Sequence, residues 1–194
     1  MSICDGTWDP SPEGLHCEKC DIERQWDEGP PYYHGTAGTS LLLTIELVPS
    51  TAWERNLRDL LTQSQWDTLR RQVYKQYNYH CGVCDASNTT MYCHEMWQYD
   101  DRTHTQKLIG LIALCRWCHH CKHLGFAGVL ASRGELDYEQ VIQHFQRVNH
   151  CSREVFDAHK QQAFATWRER SRHEWTLDLG AYASLIPVEQ MEER

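Results

Sequence analysis

The sequence predicts an α+β chain built round a small core of strand, loop, strand and helix, with further helices flanking it. Two runs of strand composition, "TTMYCHEMWQYDD" and "THTQKLIGLIALC", are followed at once by "HHCKHLGFAGVLAS", which reads as the start of a helix. Cysteine pairs stand at the two ends of this unit, Cys81-x-x-Cys84 before the first run and Cys115-x-x-Cys118 where the second meets the helix. An apolar content of 41% and eight tryptophans in 194 residues suffice for a buried core.

Four segments follow in order. Residues 1–40, with "DPSPEG" and "EGPPYYHG", carry turn chemistry and no clear period, and read as an acidic, loop-rich or partly disordered segment. Cys4, Cys17 and Cys20 have ligand chemistry there. They can join His16 or His34 in a second zinc knot, or remain reduced thiols of a mobile leader.

In residues 41–78, "LLLTIELVP" has strand composition and ends at Pro49, which cannot continue a ladder. Ser50 or Thr51 would cap a helix over "STAWERNLRDLL", and "SQWDTLRRQVYKQY" places Trp66, Leu69, Val73 and Tyr77 on one helical face. Arg70, Arg71 and Lys75 on that helix read as a solvated basic face, with a phosphate-backbone contact as the alternative.

Residues 79–130 form the core, and residues 131–194 a helical extension. Asp137 caps one helix with Val141, Ile142 and Phe145 inward; Ser152 caps the next, whose stripe is Val155, Phe156, Ala163, Phe164 and Trp167. "TLDLGAY" reads as a last short strand. His144, His150 and His159 have no partners at ligand spacing and read as surface or capping residues.

The net charge is −8, which disfavours a polyanionic partner, but the charge is unevenly spread. Residues 1–40 hold eight acidic side chains against two basic ones, whereas residues 66–125 hold five against seven. No run approaches the roughly 18 apolar residues of a membrane span, and the start lacks a signal-peptide order. Ten cysteines gathered near histidines point to metal binding in a reducing compartment, so an intracellular, cytoplasmic location is expected.

Cys81, Cys84, Cys115 and Cys118 are the ligand set of a closed tetrahedral site for Zn²⁺. Four thiolates leave no open position for a substrate, so this zinc is expected to be structural and to contribute folding energy directly. His119 and His123 are four apart and share a helix face, at which His94 on the hairpin can point. Trp97 and Trp117 read as packing residues, and His120 and Cys121 as bystanders on other faces of the turn, with Cys121 as a replacement zinc ligand the alternative.

In "CGVC", "CHEMW", "LIGLIALC" and "CRWCHHCKH" the chain resembles the HNH endonucleases, the ββα-metal nuclease family, in its zinc-braced form, over Cys81 to His123. That family has a histidine on the first strand, an asparagine ahead of the second cysteine pair and a histidine just after its last cysteine. His94 and His119 match the outer two, and the asparagine position, five before Cys115, is Gly110. The first strand also departs, carrying Cys93-His94 and then Glu95 where the family has Asp-His or His-His.

The resemblance implies hydrolysis of phosphodiester bonds, in DNA before RNA, with Mg²⁺ or Mn²⁺ as the catalytic cation. Two registers stay open: His94 as general base, or His94 as metal ligand with Glu95 as base. Strand alternation sends those two side chains to opposite faces unless a bulge intervenes. His123 either joins His94 and His119 round the cation or faces water. His104, Asp100 or Asp101 can cover for the lost asparagine. The alternative to a nuclease is a catalytically silent, zinc-stabilised module that binds nucleic acid or protein, which the missing asparagine favours.

Overall fold

The computed structural model describes residues 8–11, 14–17, 22–25, 41–53 and 56–186. The fold is mixed α+β, as the sequence indicates. Within the first forty residues, expected to be loop-rich, β1 (Trp8–Ser11), β2 (Gly14–Cys17) and β3 (Ile22–Gln25) form an antiparallel meander. The alternative zinc knot of Cys4, Cys17 and Cys20 lies outside the described side chains.

The centre is a long hairpin, β4 (Met91–Asp100) antiparallel to β5 (Thr105–Cys115), with β6 (Thr176–Asp178) added parallel to the start of β5. His94 pairs with Ile112 and Cys93 with Ala113. The register slips between Met96 and Trp97: Met96 pairs with Gly110 and Trp97 with Leu108, so Ile109 is the extra residue of a bulge. Both faces of β5 are covered, which explains why "LIGLIALC" is apolar without alternation.

On one face lie α1 (Leu57–Leu60) and α2 (Gln63–Gln76), whose Leu57, Trp66 and Val73 pack with Leu108, Leu111 and Ala113. On the other lie α3 (Arg116–Lys122), α4 (Leu124–Ser132), α5 (Tyr138–Asn149) and α6 (Arg153–Arg170), packed on Ile112 and Leu114. The Asp137 cap is present, its carboxylate accepting from the Glu139 and Gln140 N–H groups, and Val141, Ile142 and Phe145 are buried as expected. Of the expected Ser50 helix only a 3-10 turn, Ser50–Ala52, forms; the following α1 is capped instead by Asn56.

"LLLTIELVP" is extended but joins no sheet, which corrects the strand expectation. Its backbone is satisfied by side chains and by a helix end. Asn149 accepts from the Leu43 N–H and donates to the Leu43 carbonyl, both at 2.9 Å. His159 Nε2 accepts from the Ile45 N–H at 2.9 Å, the Lys122 carbonyl accepts from Glu46 N–H, and Trp167 Nε1 donates to the Val48 carbonyl. Leu43 and Ile45 enter the core between α5 and α6 in consequence. His159 is therefore a fastening for this segment, not a surface residue. His150 does cap α5, in the left-handed conformation.

His159 makes the docking of this segment depend on pH. Its Nε2 must be unprotonated to accept from Ile45, and burial, followed by the Lys122 ammonium, holds its pKa below the usual 6.5. A depressed histidine stabilises the fold above the unfolded pKa and loses that contribution as pH falls through the folded one. The urea midpoint should fall below about pH 6.5, and His159→Gln, whose amide oxygen can take the same N–H, should flatten that fall; an equal slope in the variant counts against it.

Candidate metal centre

The first site is a knuckle formed by the loop ahead of β4 and the junction of β5 with α3. The Cys81 carbonyl accepts from Asp85 N–H, and Gly82 N–H donates to the Ala113 carbonyl at 2.8 Å. Gly82 is needed for this close approach: a Cβ there would stand 2.5 Å from the Tyr77 ring and 2.8 Å from Ile112. Cys115 ends β5 and caps α3, its sulfur accepting from Cys118 N–H.

The four sulfurs of Cys81, Cys84, Cys115 and Cys118 all lie within 4.8 Å of one another, and Cys84 Sγ is 3.6 Å from Cys115 Sγ. A tetrahedron of 2.3 Å zinc–sulfur bonds has edges of about 3.8 Å, so the set can close round one ion with small adjustment. Hydrogen bonds from the Cys118, Cys81 and Cys84 thiols hold Cys115 well below the usual thiol range. His144, expected at the surface, is 8% exposed and sets Nε2 3.1 Å from Cys118 Sγ, so it belongs to the shell round this knuckle.

One residue beyond Cys118 begins the second site. His94 from β4, His119 from α3 and His123 from the junction of α3 with α4 bring one nitrogen each to within 4.8 Å of the others. His94 Nδ1 lies 3.0 Å from His123 Nε2, and the ring centroids of His119 and His123 are 4.6 Å apart. Tyr92 stacks on His119 at 4.8 Å and fixes that ring's plane. His94 is buried, whereas His119 and His123 are partly exposed, so the cluster opens to solvent on the α3 side.

Burial, reinforced by His123 and His94, pushes the His119 pKa down to about 2; burial and His94 push His123 to about 3. Both rings are neutral at physiological pH, the form that ligates a cation.

The remaining candidates lie elsewhere. Glu95 is on the opposite face of β4, where its carboxylate accepts from Arg58 N–H at 3.1 Å and burial pushes its pKa up to about 7. Gly110 sits mid-strand in β5 opposite Met96, and a Cβ there would stand 2.7 Å from the Met96 terminal methyl, so a larger side chain would displace that methyl. Asp100 accepts from the Arg102 and Thr103 N–H groups in the hairpin turn, Asp101 pairs with Arg170, and His104 stacks on His173 at 4.1 Å. None of the three joins the imidazoles among the described residues.

Sequence reasoning missed Glu46 and Lys122. Glu46 Oε2 lies 3.0 Å from His94 Nε2, and Glu46 Oε1 is in close contact with Lys122 Nζ. The only available signal was an acid in an otherwise apolar extended run. Among the described residues no helix is long and apolar enough to cross a membrane. Comparison with protein-family models, characterised proteins and solved structures finds no match to this chain.

With zinc in the thiol site, its removal by excess chelator, or Cys118→Ser, should abolish the cooperative thermal transition of the core. Structural zinc contributes about 10–16 kcal/mol of apparent binding energy in small domains, comparable with a whole domain's stability. An unchanged melting curve after verified metal removal would show that the cluster is not a structural metal site.

Proposed function

We propose that the chain is a metal-dependent phosphodiesterase, an HNH-like endonuclease acting on nucleic acid and on DNA first. The observation that carries this reading is the convergence of three imidazoles from a hairpin and its following helix, open to solvent on one side and adjacent to a four-thiol knuckle. A bound divalent cation would polarise a phosphate oxygen and acidify water at such a site.

On this reading His94, His119 and His123 are the ligands. The carboxylate on His94 Nε2 leaves Nδ1 as the nitrogen facing the cluster, which favours His94 as ligand over His94 as general base. Three neutral imidazoles suit Zn²⁺ or a similar transition ion better than the Mg²⁺ or Mn²⁺ that the family resemblance implies, since those harder ions favour oxygen donors. Glu95 faces α1, so the reading assigns it no part in proton transfer. The four-thiol knuckle holds a structural zinc that fixes α3 to the hairpin. The acidity of the whole chain does not oppose this, because residues 66–125 are net basic before any cation is bound.

Supercoiled plasmid incubated with the protein in Zn²⁺, Co²⁺, Ni²⁺, Mn²⁺ or Mg²⁺ should be nicked in at least one transition metal. His119→Ala and His123→Ala should each reduce nicking to background while keeping the thiol-bound zinc. Plasmid binding without nicking in any metal would replace this reading with the non-catalytic binding module, and equal nicking by all three proteins would place the activity in a contaminant.

A further inference from the structure

Lys122 is 1% exposed, one of the most deeply buried long side chains in the protein. It lies on α3 immediately before His123. A buried ammonium is costly unless paired and hydrogen-bonded. Its partners include Thr44 Oγ1 at 3.0 Å and the Glu46 carboxylate, both from the extended segment ahead of α1. The same segment donates Glu46 N–H to the Lys122 carbonyl at 2.9 Å. Glu46 is thus tied to α3 through backbone and side chain.

The two carboxylate oxygens of Glu46 have different work. Oε1 meets Lys122 and accepts from Thr44 Oγ1, while Oε2 lies 3.0 Å from His94 Nε2. The Lys122 ammonium against Oε1 pairs with Glu46 as an ionised carboxylate. An ionised carboxylate only accepts, so His94 Nε2 carries the hydrogen. A neutral imidazole has one such hydrogen; Nδ1 is left with its lone pair toward the cluster, 3.0 Å from His123 Nε2.

We infer that Glu46, clamped by Lys122, is a positioning residue for the three-histidine site, locking His94 in the tautomer and ring orientation that presents Nδ1 to a cation. The inference rests on the metal-site part of the proposed function and does not need the nuclease part. Carboxylate partners of ligating histidines also raise their basicity, and losing one typically weakens metal binding about 10–100-fold. The extended segment is thereby a component of the site although it supplies no ligand.

The test uses the full chain with one zinc already bound at the thiols, titrated with Co²⁺ and followed by visible absorption. In parallel, ¹⁵N-histidine spectra of the metal-free imidazole site report which nitrogen of His94 is protonated. The wild type should bind one Co²⁺ and show His94 protonated at Nε2. Glu46→Ala should bind Co²⁺ about 10–100-fold more weakly and lose the single tautomer, while Glu46→Gln, whose amide oxygen can still accept, should keep the Nε2 tautomer and lose less affinity.

Co²⁺ affinity within twofold of wild type in both variants, with His94 unchanged, overturns the inference and leaves the metal site standing. Wild-type protein that takes up no Co²⁺ at the imidazoles overturns the metal site and the inference together. Wild-type protein that binds Co²⁺ and responds to Glu46→Ala as stated, yet nicks no plasmid, sustains the inference and overturns the nuclease reading alone.

Discussion

Four thiols meet where β5 turns into α3, and the direction in which that helix leaves the hairpin follows from their convergence. Cys115 is both the last residue of the strand and the cap of the helix, and Cys118 is one turn in. With Cys81 and Cys84 closing on them, α3 cannot rotate about its axis without separating the sulfurs. His119 lies in α3 and His123 ends it, its N–H donating to the His119 carbonyl, so the same constraint brings both toward β4. The hairpin register then decides which β4 side chain they meet: pairing of His94 with Ile112 puts His94 on the α3 side and sends Glu95 to the α1 side. A one-residue slip would exchange the two and with them the chemistry of the site.

The extended segment is the second determinant. It lies at the site because side chains from α5 and α6, and the carbonyl end of α3, take up backbone groups that a sheet would otherwise have satisfied. The arrangement places a carboxylate beside a buried lysine and a buried histidine at once. The buried ammonium and the buried imidazole share the Glu46 carboxylate, which is 40% exposed, and the three form one polar network at the edge of the core. Segment docking, Lys122 burial and His94 orientation therefore share one set of contacts.

Much of this was legible in the sequence because the informative spacings are short. Cys-x-x-Cys pairs, a histidine pair four apart and two strand-like runs depend on local geometry, and the hairpin, α3 and the thiol and imidazole clusters stand where that geometry puts them. What escaped depends on contacts between distant residues. "LLLTIELVP" has strand composition, but composition does not reveal whether its backbone partners are another strand or Asn149 and His159, roughly a hundred residues away. His144 looked solvated because its partner, Cys118, belongs to another helix. Glu46 carried no motif, since its role arises only when Lys122 and His94 converge on it. At Gly110 the question of whether a larger side chain can be accommodated turns on the Met96 terminal methyl across the bulge, a contact that spacing does not reveal.

Whether α3 carries two distinct metal centres one residue apart is decided by X-ray absorption on protein carrying Zn²⁺ at the first site to fill and Co²⁺ at the second. Two ions per chain are expected, zinc in an all-sulfur shell of four ligands and cobalt in a shell of three imidazole nitrogens completed by oxygen. A single bound ion, or sulfur in the shell of both, would contradict it.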